Sequence, residues 1–165
     1  MKKILFAISC LFVFAFASAQ ATQDDIIYIQ AAYGKSKRDL MEQYMKFMDN
    51  ATTNSFWKLY DSYEVERKKL GQDYIQIIQE YAKEYSSLND SKADHLVTKV
   101  AANNLNFEKL YGQYYDKMKI AVGALKASQF LQIESYLRSE VKMTILYQIP
   151  FIGEIDRSQL HVSGK

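Results

Sequence analysis

The stretch FWKLYDSYEVERKKLGQDYIQIIQEYAKEYSSL, residues 56–88, decides the fold. Taken every third or fourth residue it reads Phe56, Tyr60, Tyr63, Arg67, Leu70, Tyr74, Ile77, Tyr81, Tyr85, Leu88. Steps that alternate between four and three are the seam of a helix packed lengthwise on other helices. No proline interrupts the run, and Gly71 is its one weak helix former. At about 1.5 Å per residue such a helix is roughly 50 Å long, far beyond the mean helix of a globular protein. Its partners must run alongside it.

Downstream, Ser86, Ser87, Asn89, Asp90 and Ser91 mark a turn, and Ser91 with Asp94 reads as a capping box. A connection this short makes the next helix antiparallel to the first. Its predicted seam is Ala93, Val97, Val100, Asn104, Phe107, Tyr111, Tyr114, Met118, Ala121, which sets Tyr85 near Val97 and Tyr74 near Phe107 or Tyr111. Arg67 and Asn104 fall on seam positions and are expected at the edge of the stripe, polar ends in water. Gly123 ends or bends this helix. A further helix carries Leu125, Phe130, Ile133, Leu137, Val141 and Ile145, widened by Leu131 and Tyr147, until Pro150 stops it. Phe151 and Ile152 are expected to tuck back onto the bundle, and residues 154–165 read as a mobile tail.

Upstream, residues 49–55 form a polar break rich in N-cap residues. Before it a helical period runs from Asp24 through Ile26, Ile29, Tyr33, Leu40, Tyr44 and Phe47, with Lys37 at the one position the seam leaves out. Gly34 costs this helix about 1 kcal/mol relative to Ala, and residues 34–39 are all polar or glycine, so it is expected to be the loosest. Met41, Met45 and Met48 read as core filler rather than a soft-metal stripe. The fold class is therefore all-α: four helices, elongated, with a long antiparallel central hairpin, forming a single domain over residues 20–153.

Residues 1–19 have a different character. Lys2 and Lys3 precede an apolar run, and Ala17-Ser18-Ala19 offers small residues for cleavage, so this segment is expected to be a signal peptide. Its apolar run is too short to span a bilayer comfortably. Cys10 lacks a lipobox leucine three residues before it and is not expected to carry lipid. Export makes the protein periplasmic or secreted. Cleavage takes Lys2 and Lys3 away, so the 21 basic residues fall to match the 19 acidic ones. The balance gives no argument for nucleic acid. Cys10 is the single cysteine, so the exported chain is expected to have no disulfide and no thiolate metal site.

No catalytic constellation is legible: no G-x-S-x-G, no phosphate-binding glycine loop, no H-E-x-x-H, no cysteine nucleophile. The chain is not expected to be an enzyme or to hold a cofactor or metal. Asp94 beside His95 reads as a solvated helix start, and His161 falls in the tail. Glu64, Glu66 and Glu80 are expected on polar faces, paired with Lys68, Lys69 and Lys83. What stands out is aromatic load. All 13 tyrosines lie beyond residue 19. Tyr74, Tyr81, Tyr85, Tyr111, Tyr114 and Tyr115 flank the hairpin. Two readings stay open for them: a broad core whose hydroxyls reach the rim, or an amphipathic face that binds other proteins.

Export, four helices, a long hairpin and the segment Leu125-Lys126-Ala127-Ser128-Gln129 together resemble the Spy/CpxP group of small periplasmic helical proteins. That segment echoes their LTxxQ motif, with Lys126 in the threonine place. Residues 48–52, where a second copy belongs, do not match it. The segments FWKLYDSYE (56–64) and QFLQIE (129–134) are also similar to secreted relatives of the group. The resemblance implies a curved homodimer that shields unfolded clients or senses envelope stress, without ATP. Two functions follow as expectations. One is an ATP-independent holdase or stress-response protein that binds partly unfolded polypeptide through Tyr74, Ile78, Tyr81, Tyr111, Tyr114 and Tyr115. The other is a non-enzymatic adaptor docking on one dedicated envelope partner. Neither involves nucleic acid or stable membrane insertion.

Overall fold

The computed structural model describes residues 36–155. The expected signal peptide, the early seam residues Ile26, Ile29 and Tyr33, and residues 156–165 of the expected tail lie outside the described residues. Within them the chain forms α1 (36–44), α2 (Asn50–Glu84), α3 (Asp90–Val122) and α4 (Ala124–Leu146), with no strand. The fold is all-α, as the seam spacing requires.

The 35-residue α2 starts where Asp49 caps it: Thr52 donates its backbone N–H to Asp49 Oδ1 at 2.8 Å and its hydroxyl to Oδ2 at 2.8 Å. The polar break thus closes at Asp49, and residues 50–55 already belong to the helix. A single 3-10 turn, Tyr85–Ser87, ends it. The cap of α3 is Asn89, whose side chain accepts from the Lys92 N–H at 3.0 Å. Ser91 was the expected cap, but it already lies in the first turn; Asn89 holds the extended backbone a cap needs. Gly123 sits between α3 and α4 at φ 84, a left-handed conformation that favours glycine. Three links fix the hairpin as antiparallel: Lys99 to Glu80 (2.7 Å), the Asn103 amide to the Leu70 carbonyl (2.9 Å) and the Tyr114 hydroxyl to Glu66 (2.7 Å).

The seams are partly shifted from expectation. In α3 the buried residues are Leu96, Asn103, Phe107, Leu110, Tyr114 and Met118, while Val97 is exposed. A strict heptad seam drifts by about 20° per heptad on a straight helix, and Asn103, not Asn104, therefore faces α2. Asn104 instead accepts from Arg138 of α4 at 2.9 Å, and that guanidinium lies 4.1 Å over the Phe107 ring. Along α1 and the residues after it the buried positions are Lys37, Met41 and Met45, not Leu40, Tyr44 and Phe47; Tyr44 and Met48 are exposed.

Two cores result. The larger gathers Met41, Met45, Phe56, Tyr60, Tyr63, Leu110, Tyr114, Met118, Ala127 and Phe130, drawn from all four helices and the residue after α1. Phe130 meets Phe56, Tyr60 and Tyr63 edge to face, the closest ring centres 5.2 Å apart. The smaller centres on Ile78, Ile145 and Ile149, with Tyr74, Tyr81, Val141, Leu146 and Ile152 against it. Ile152 folds back as expected, whereas Phe151 is exposed. Phe130→Ala is expected to cost about 3–5 kcal/mol, whereas exposed Leu125→Ala stays within about 0.5 kcal/mol. Urea unfolding measures both, and near-equal losses contradict this core.

Candidate functional site

The first described turn of α1 delivers Lys37. Met41 and Met45 follow at steps of four, so all three share a face, and that face is laid on α2 and α4. Lys37 is therefore carried into the larger core, its side chain wholly out of solvent. There its ammonium donates to Glu64 Oε1 of α2 and Glu134 Oε2 of α4, each at 2.5 Å. The Tyr63 hydroxyl donates to the same Glu134 oxygen at 2.6 Å. Arg67 grips Glu64 from the other side in a two-pronged contact, Nε to Oε1 at 2.8 Å and Nη2 to Oε2 at 3.1 Å. The rings of Tyr63 and Tyr60 stand 5.0 and 5.7 Å from the ammonium, within cation–π range. Outside the core, Arg38 pairs with Asp61 at 2.6 Å and covers Trp57.

Two cations and two carboxylates make the group formally neutral, which is how buried charge is tolerated. Burial lowers the Lys37 pKa from its ordinary value, aided by Arg67 and opposed by the carboxylates. Burial also opposes ionisation of Glu64, but Lys37 and Arg67 outweigh it and hold that carboxyl below its usual range. The Tyr63 phenol is pushed well up, by burial first and then by the Glu134 charge. The same two causes push Tyr111 up to about 12. Chemically this arrangement holds an ammonium and locks three helices together. Among the described residues no cluster of His, Cys, Asp or Glu is suited to a metal ion.

Several sequence expectations are corrected here. Glu64 is buried rather than on a polar face, and its partners are Lys37 and Arg67. Arg67 is mostly covered, not directed into water. Glu66 accepts from Tyr114, and Glu80 pairs with Lys99 across the hairpin. Sequence reasoning missed Lys37 and Glu134 as a pair. The signal was present: Ala127, Phe130, Glu134, Leu137, Val141 and Ile145 form an unbroken three-four seam with a carboxylate in its middle.

The six residues expected to bind clients do not form one patch. Tyr74, Ile78 and Tyr81 surround the smaller core, and Tyr111, Tyr114 and Tyr115 belong to the larger. Ile78 and Tyr114 are buried, while Tyr74, Tyr81, Tyr111 and Tyr115 are half-buried at the rim. The most exposed apolar side chains are Met48 (105% exposed) in the α1–α2 connection and Ile120 (86%) and Leu125 (72%) beside the α3–α4 turn; the two connections approach where Lys126 Nζ stands 5.8 Å from the centre of the Phe47 ring. No described helix is long and apolar enough to cross a membrane. No family model, curated protein or solved structure matches this chain.

Because the folded pKa of Glu64 lies below its ordinary value of 4.5, its contribution to stability is fully present above that value. It is lost as pH falls through the folded pKa. Melting temperatures recorded from pH 7 to pH 3 are expected to fall on the acid side, and Glu64→Gln to flatten that fall. Parallel curves for the two proteins contradict the assignment.

Proposed function

We propose that the protein is an ATP-independent binder of partly unfolded polypeptide in the cell envelope, similar in role to the Spy/CpxP group. The observation that supports this reading is that Tyr74 and Tyr81 on α2 and Tyr111 and Tyr115 on α3 stay half-buried beside the two cores of the hairpin, each keeping part of its ring at the surface. A tyrosine ring supplies apolar contact area at low entropic cost, and its hydroxyl keeps an unoccupied face wettable. The paired helices, roughly 50 Å in length, offer more contact than one globular ligand requires. Export, expected from residues 1–19, sets the compartment, and the absence of a legible catalytic set in the sequence favours binding over turnover.

A second reading rests on a different observation. Met48 in the α1–α2 connection and Ile120 and Leu125 beside the α3–α4 turn are the most exposed apolar side chains of the described residues, which suits fixed docking on a single envelope partner.

Aggregation of several unrelated reduced or heat-damaged proteins, followed by light scattering, separates the two. The stoichiometric wild type is expected to lengthen the lag at least about twofold, and a folded Tyr74→Ser, Tyr111→Ser, Tyr115→Ser triple variant to lose most of that effect. Failure of the wild type on every client overturns the holdase reading in favour of the dedicated partner. Equal protection by the triple variant overturns the tyrosine assignment.

A further inference from the structure

Lys37 is held the way a protein holds a ligand. Its ammonium reaches the core from a separate element, α1, and the groups that receive it all belong to the other helices: Glu64, Tyr60 and Tyr63 from α2, and Glu134 from α4. Two carboxylate oxygens and two aromatic faces make a receptor for a primary ammonium. The receptor also retains unused capacity. Glu134 Oε1 is buried and has no hydrogen-bond partner among the described residues, although an ammonium carries three donors. Burial of a paired charge returns little net stability while loss of one partner is costly, so Lys37 can be replaced at little cost by a second ammonium that makes the same contacts.

We propose that Glu64, Glu134, Tyr60 and Tyr63 form an ammonium-binding cage, that Lys37 occupies it as an internal ligand, and that the cage accepts a lysine carried in the apolar face of a partner polypeptide helix. The partner half of this proposal rests on the polypeptide-binding reading; the cage itself stands on the geometry. The occupant is specified by α1: a basic residue followed by apolar residues at steps of four, as in Lys37, Met41 and Met45. Exchange of α1 for such a segment opens the larger core without dismantling the hairpin, whose Asn103–Leu70 and Lys99–Glu80 links lie outside the cage. A free amine offers the same ammonium without the helix.

The test uses the full chain carrying Lys37→Ala, which keeps Cβ and vacates the space of an n-propylammonium ion. Addition of n-propylammonium chloride is expected to raise the melting temperature saturably by several degrees. 1-Propanol and tetrapropylammonium chloride at equal concentration are expected not to, and the wild type is expected not to respond. If the variant does not fold alone, recovery of its helical circular dichroism on n-propylammonium is the same result. Equal effects of all three additives, or no recovery, overturn the cage. Adding Glu134→Gln is expected to weaken the response at least tenfold. An unchanged response removes Glu134 from the site and overturns the cage as drawn.

A fluorescent helical peptide of residues 36–48 supplies the second arm. By anisotropy it is expected to bind the Lys37→Ala chain at least tenfold more tightly than the same peptide with norleucine in place of Lys37. It is expected to bind the wild type more weakly, because Lys37 already fills the cage. Rescue by n-propylammonium with no discrimination between peptides overturns the polypeptide partner and leaves a site for free amines. Both results are independent of aggregation suppression, so failure of the cage and failure of the holdase reading are told apart.

Discussion

Lys37 brings one positive charge into the middle of the larger core, where its ammonium meets Glu64 from α2 and Glu134 from α4. Taking these groups out of water is costly, and their mutual attraction at low dielectric roughly offsets that cost. What the contact supplies is register. A slip of α1 by one turn along the hairpin would set Met41 against two carboxylates and leave Lys37 in an apolar space. Either mismatch leaves buried charge unpaired, which costs about 3–5 kcal/mol. Arg67 shares Glu64 Oε1 with Lys37 and takes Oε2 as well, and the Tyr63 hydroxyl shares Glu134 Oε2 with Lys37, while Glu134 Oε1 has no partner among the described residues.

The rest of the molecule follows from where that group sits. The larger core is crowded with rings because Tyr60 and Tyr63 both wall the ammonium, Tyr60 packing on Phe56 and Phe130 and Tyr63 on Phe130. The smaller core has no comparable charge. It is held by three isoleucines and by Tyr81, whose hydroxyl donates to the Pro150 carbonyl at 3.3 Å. The helical pair therefore has one half specified by electrostatics and packing, and another by packing with one polar tie. Between them Arg138 joins α4 to α3 through Asn104 and the face of Phe107.

The architecture was legible because periodicity is a geometric property of the chain itself. The α2 seam through Phe56, Tyr60 and Tyr63, the break before α2, the glycine at 123 and the stop before Pro150 all express local chemistry. Of the polar centre only the seam position of Glu134 was legible, and its pairing was not, for a physical reason. A charged residue on a seam is ordinarily placed at its edge, since an isolated buried charge is intolerable. Lys37, Glu64 and Glu134 are tolerable only together, and they are separated by 27 residues in one case and 97 in the other. No single helix carries the information that its charge has a partner. The shifted α3 face has a humbler origin: Leu96 and Val97 are both apolar, and only the drift between heptad and helix selects the leucine.

A double-mutant cycle between Lys37 and Glu134, read by urea unfolding, tests the central claim most directly. Lys37→Met alone and Glu134→Leu alone each strand a buried charge, so each is expected to cost about 3–5 kcal/mol. The double variant is expected to recover at least about 1.5 kcal/mol relative to the sum of the two losses. Losses that add to within about 0.5 kcal/mol, or a Lys37→Met protein as stable as the wild type, would contradict a buried ion pair as the contact that sets α1 on the hairpin.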